Sequence, residues 1–194
     1  VCKNPTGIEP SVISSEEQKK LNSAVNELPY EQRYIQPGER GQVLSGQASY
    51  HHNDWAVKGA YTRAFDSGRF LFHRELGRDH FYTSIPRSRL EGFGNADVFT
   101  LIGEYYFLEH QLIARVEATQ VNGPQVDTFE FNKYNLDEYR QLNLQLNYHF
   151  KGFLDGLDLT MFYVYRRNQN NSEPDLVFNL SNYHQINFVT NFEF

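Results

Sequence analysis

The chain is poor in sulfur and in long apolar runs, and each shortage excludes something. Cys2 is the one cysteine among 194 residues, so no intrachain disulfide framework and no thiolate metal site can form. Val1 precedes it and no lipobox is present, so Cys2 reads as an incidental thiol. No window approaches the roughly 18 consecutive apolar residues of a membrane helix. That excludes helical spans only, because a transmembrane barrel strand shows one apolar face and hydropathy misses it. Basic residues are outnumbered, 18 Lys and Arg against 24 Asp and Glu, for a net charge of −6. A nucleic-acid partner is therefore not expected. There is neither an initiator Met nor a signal peptide, so the chain is expected to begin at a processed or truncated position. Glycine-rich phosphate loops and G-x-S-x-G are absent. "HRELGRDH" is not a zinc-protease helix, because Arg74 follows His73 and His80 comes seven positions later. His51, His110, His149 and His184 are scattered, so neither a metal nor a cofactor is expected.

What is present is aromatic and alternating. The chain holds 13 Tyr and 16 Phe, and from residue 42 onward its period is two. In "RQLNLQLNYHF", Leu142, Leu144, Leu146, Tyr148 and Phe150 share one face, and Gln141, Asn143, Gln145, Asn147 and His149 share the other. "VFTLIGEYYFL" sets Phe99, Leu101, Tyr105 and Phe107 against Thr100, Ile102, Glu104 and Tyr106. "QVLSGQASYH", "WAVKGAYT", "LIARVEAT", "LDLTMFYVYR" and "YHQINFVTNFEF" behave alike. Seven such segments predict an all-β, antiparallel sheet.

A soluble sandwich or lipocalin-type barrel would turn the apolar face inward, whereas a water-filled membrane barrel turns it to lipid and lines its lumen with the polar face. Tyr50, Trp55, Phe107, Tyr148, Phe150 and Phe194 fall at segment ends, where interfacial girdles lie. Short and long gaps alternate, as periplasmic turns and outer loops do. A transmembrane β-barrel of the bacterial outer membrane is therefore expected, with residues 42–194 supplying strands. Residues 1–41 would be an outer loop or poorly ordered lead-in. Seven strands is an odd number. Either an eighth hides in residues 1–41, around "YEQRYIQ", or upstream strands complete a larger barrel, the reading favoured here.

The stretch from Ala64 to Asn95 is the longest gap. It holds Arg69, Arg74, Arg78, Arg87 and Arg89 among aromatics, with Glu75, Asp79, Glu91 and Asp97 as partners. A connection of this length is usually functional. Its arginines are candidates for a constriction that offers forked donors to carboxylates, or for holding the loop together by ion pairs. "GRFLFHRELGRDHFYTSIPRSRLEGFGNADVF" resembles the segment FPREWGRDPFYT-x-x-PRERNEGLGD of OprD-type outer-membrane porins. "LNYHFKGFLDGLDLTMFYVYR" is similar to that family's YRFKG-LEGL hairpin. The likeness spans about residues 60–194 and departs from the pattern at His73, Leu76, His80 and Ser88-Arg89-Leu90. It implies a barrel of about 16–18 strands, often a homotrimer, with basic residues guiding carboxylate-bearing solutes. It also implies that Phe194 is the signal read by the barrel-assembly machinery.

Parity nominates the channel-lining residues. Lys58, Arg115, Arg166, Glu104, Glu117 and Asp158 lie on polar faces, either as a field for anionic or zwitterionic solutes or as mutually satisfied pairs. Many Ser, Thr, Ala and Asn on those faces suit a wide, wet bore. Arg140 and Glu138 fall on the lipid side at an outer strand end, within reach of outer-membrane lipid and lipopolysaccharide. The expected function is passive diffusion of small hydrophilic solutes, not enzymatic catalysis. The alternatives are a self-contained eight-stranded barrel with a structural or adhesive role, and an outer-membrane hydrolase, which would need a His–carboxylate or His–Ser pair across adjacent strands.

Overall fold

The computed structural model describes residues 40–68, 81–88, 93–124, 131–132, 137–169 and 182–193. Seven strands follow one another: β1 (Val43–His52), β2 (Trp55–Ala64), β3 (Ala96–Phe107), β4 (Leu112–Asn122), β5 (Tyr139–His149), β6 (Leu157–Asn168) and β7 (Tyr183–Phe192). The fold is all-β. Each strand pairs antiparallel with its neighbours in sequence, giving one meander in the order β1 to β7, with β1 and β7 at its edges.

The registers join across the whole sheet. Lys58 faces Ile102, Ile102 faces Glu117, Glu117 faces Asn143, Asn143 faces Val164 and Val164 faces Gln185. Directly opposed residues share a face, so each such row places one side chain per strand side by side. At one end the strands are joined by 53–54, 108–111 and 150–156, the last holding a short turn of 3-10 helix at Gly152–Leu154. The strand ends joined by the long connections, 65–95, 123–138 and 169–182, all lie at the other end. Aromatics crowd the end with short turns. The Tyr50 and Trp55 rings are 5.4 Å apart, those of Tyr105 and Phe107 4.4 Å, and those of Tyr148 and Phe150 4.7 Å.

Burial is inverted relative to a sheet folded for water. On the apolar face Leu101 is 58% exposed, Ile186 61% and Phe188 69%. On the polar face Thr100 and Thr119 are each 4% exposed, Gln141 2% and Asn143 0%. The hydrophobic cluster of Ala64, Phe93, Ala96, Val98, Val121 and Tyr139 also lies toward the long-connection end, with its strand members on the polar parity. A contiguous apolar surface of this extent is not left bare to water in soluble monomers.

Candidate functional site: the covered polar face

Residues 81–88 lie against the polar face, and the sequence explains what seats them there. Small hydroxyl side chains leave room for a second layer of chain and offer it hydrogen bonds. Thr62 on β2 meets the Thr83 hydroxyl at 2.8 Å, and Thr100 on β3 donates to the Thr83 carbonyl at 2.8 Å. Ser45 bonds Thr62 at 2.8 Å, and Thr100 bonds Thr119 at 2.8 Å. The Gln141 and Asn143 amides on β5 donate to the Pro86 carbonyl at 2.7 and 3.0 Å. The Ser88 hydroxyl bonds that of Tyr139 at 2.9 Å. Arg166 on β6 completes the attachment by donating from Nη2 to the Arg87 carbonyl. The segment thus touches side chains of β1, β2, β3, β5 and β6 and roofs part of the polar face.

Arg87 has φ of 67°, a left-handed conformation that costs a non-glycine residue about 1–2 kcal/mol. Its side chain is exposed while its carbonyl meets Arg166, so the backbone of this residue does the attaching. The Arg166 guanidinium is largely enclosed. It lies 4.1 Å from the centroid of the Tyr139 ring and 5.2 Å from that of Tyr183, and its Nε donates to Gln141 at 2.8 Å.

Toward the end with short turns the face becomes a ladder of charge. Lys58 Nζ is 3.4 Å from Glu104 Oε1, and Arg115 Nη1 is 3.2 Å from that same oxygen. Arg115 Nη2 reaches Glu117 Oε1 at 2.7 Å, and Asn143 donates to Glu117 Oε2 at 2.8 Å. The Tyr106 hydroxyl donates to Glu104 Oε2 at 2.8 Å. Gln141 Nε2 donates to Asn143 at 2.9 Å, which links the ladder to Arg166. The layering has a sign. The Lys58 and Arg115 side chains are 27% and 33% exposed, against 11% for Glu104 and 2% for Glu117. Carboxylates sit beneath and cations on top, so a nearly neutral ladder presents a basic surface. Among the described residues, Arg115 Nε is buried without a hydrogen-bond partner.

Five of the six residues nominated from parity therefore belong to one connected network. Arg166, nominated for the channel lining, is 8% exposed and holds 81–88 through the Arg87 carbonyl. Asp158 stands apart, 2.5 Å from His149 Nδ1 at the end with short turns. Of the threonines counted from the sequence toward a wide bore, Thr62 and Thr100 are seats for the overlying segment, and Thr119 is bonded to Thr100 beside them. Arg69, Arg74, Arg78, Arg89, Phe194 and residues 1–39 lie outside the described residues. Sequence reasoning did not single out Thr83, Tyr139, Gln141, Asn143 or Tyr106. Its one available signal was the polar alternation of Gln141 and Asn143 on a strand otherwise rich in leucine.

No helix among the described residues is long and apolar enough to cross a membrane, and none of their His, Cys, Asp and Glu form a group of three or more that could hold a metal. The architecture is that of an all-antiparallel meander with a loop folded onto its polar face. Compared with family models, curated proteins and solved structures, the chain matches none.

Proposed function

We propose that this chain forms part of the wall of an outer-membrane β-barrel pore, and that small hydrophilic solutes diffuse past its polar face. The observation that carries the reading is the inverted burial: the apolar face is bare and the polar face is roofed, hydrogen-bonded and charged. In a bilayer that arrangement is the stable one, since lipid covers the apolar face and the polar groups meet water. Strands at β1 and β7 then pair with further strands to close the wall. Residues 81–88 narrow the bore beside the ladder. The outward cations Lys58 and Arg115 favour carboxylate-bearing solutes, while the carboxylates beneath keep the attraction weak enough for release. Localisation in a bacterial outer membrane, insertion by the barrel-assembly machinery and a possible homotrimer belong to this reading.

The test is solute-dependent swelling of liposomes containing the folded protein. Small dicarboxylates are expected to enter faster than neutral solutes of equal size. One exposed charge at about 4 Å in water is worth about 1 kcal/mol, or about fivefold. Lys58→Gln, which leaves Glu104 held by Arg115 and Tyr106, is therefore expected to cut that preference by up to about fivefold. Swelling no faster than in empty vesicles would count against a pore and for a barrel plugged by 81–88.

A further inference from the structure

The apolar face is not uniform. Toward its long-connection end a groove of about 780 Å³ runs across the strands, with Gly46, Ala48, Gly59 and Ala118 among its lining and Arg140 in its wall. It opens on the apolar side, because its lining includes Tyr61, Leu101 and Leu142 and none of residues 81–88. The groove exists because its residues are small. A Cβ added at Gly46 or Gly59 would meet nothing within 4 Å. Directly across from Arg140 in the β5–β6 register stands Arg167. Both are exposed, and neither side chain has an ion pair or hydrogen bond among the described residues. Like charges directly opposite on a sheet repel. On the same face and near the same end, Arg63 shows the alternative, being paired with Asp97 and bonded to Asn95 at 2.9 Å.

We propose that Arg140 and Arg167 clasp the phosphate of a membrane lipid whose acyl chain lies in the groove beside them. Two forked guanidiniums at adjacent strand positions match the oxygens of one phosphate, and the phosphate converts their repulsion into shared attraction. The groove supplies the matching apolar half within reach of Arg140. A strand tilt of about 35–45° turns a groove that crosses the strands oblique to the membrane, so a chain can follow it inward from the headgroup level. This inference rests on the membrane reading above, which makes the long-connection end the outer one. It adds a specific occupant, a phosphate-bearing acylated glycolipid of the outer leaflet.

The probes are diphosphorylated lipid A, its dephosphorylated form and inorganic phosphate, added to the intact protein folded in neutral detergent. Retained lipid is counted by native mass spectrometry. Diphosphorylated lipid A is expected to remain bound, and Arg140→Gln with Arg167→Gln to lower retention at least tenfold. Gly59→Leu puts a side chain into the groove at a position where an added Cβ meets nothing within 4 Å, and is expected to lower retention severalfold at unchanged stability. Equal retention of dephosphorylated lipid, undiminished retention by the arginine variant, or full displacement by inorganic phosphate would each overturn the proposal. So would a lipid-free dimer in which Arg140 is protected by a second copy. Flotation with liposomes separates the two readings. A protein that does not float fails the membrane reading, whereas one that floats and passes solutes without preferring phosphorylated lipid fails the clasp alone.

Discussion

Arg166 and Arg167 are neighbours in the chain and occupy different worlds. Arg166 lies between two tyrosine rings, bonds Gln141 and holds the carbonyl of Arg87. Arg167 is exposed, carries no side-chain partner among the described residues, and stands opposite another arginine. One step along a strand reverses the side on which a side chain stands. The difference teaches that the two faces are built for two surroundings. The polar face supplies its own partners, and the apolar face leaves its partners to come from outside.

The sharpest way to break the comparison is to delete each arginine in turn. Arg166→Ala strands Gln141 Oε1 and the Arg87 carbonyl and removes the outermost attachment of 81–88. A cost of about 2–4 kcal/mol in denaturant unfolding is expected, together with a larger and noisier single-channel conductance in planar bilayers. Arg167→Ala is expected to stay within about 0.5 kcal/mol in the same unfolding series. Equal losses from both would dissolve the contrast.

Next in size is Glu117→Leu, which removes the acceptor of Arg115 Nη2 and of one Asn143 N–H, leaving Arg115 its pair with Glu104 and Asn143 its bond to the Pro86 carbonyl. About 2–3 kcal/mol is expected to be lost, with a shift toward anion selectivity measurable from reversal potentials under a salt gradient. Thr83→Val keeps the volume and removes one hydroxyl from the seat, at a cost of about 1 kcal/mol by the same unfolding assay. The smallest effect is expected on the apolar face. Gly103 has nothing within 4 Å of an added Cβ, so Gly103→Ala is expected to be neutral or slightly stabilising. Gly156 supplies the control, since its φ is 87° and an added Cβ would lie 2.5 Å from the Glu193 carbonyl oxygen. A Gly156→Ala variant as mild as Gly103→Ala would contradict the register of β6 and β7 near that turn.

Much of the sheet was legible because side-chain parity is a local property. The alternating segment "QVLSGQASYH", which begins at Gln42, is β1 at Val43–His52, and the polar and apolar partners assigned by counting share faces in the register. The length of 64–95 also marked it as more than a simple turn, and its described part 81–88 packs on the polar face. What could not be read was how 81–88 attaches. Its acceptors are the main-chain carbonyls of Thr83, Pro86 and Arg87, and a carbonyl is the same in every residue. The role of Arg166 stayed open for the same reason, since nothing in the string "VYRRN" distinguishes a guanidinium that meets solute from one that meets backbone.

The hydroxyls of Ser45, Thr62 and Thr83 have a direction that their positions alone do not reveal. Each has one hydrogen, and two bonds join the three, so one hydrogen is left over. Left on Thr62, which is 0% exposed, it would be sealed in the middle of the row. If the row donates from Ser45 toward Thr83, the spare hydrogen is sealed beside a residue 2% exposed, where an idle donor is costly. Running the other way, from Thr83 through Thr62 to Ser45, it emerges on half-buried Ser45, whose oxygen also accepts from the Tyr82 amide at 3.2 Å. The seated loop thereby gives the row a polarity, and leaves Ser45 on β1 with a hydroxyl proton free to donate elsewhere.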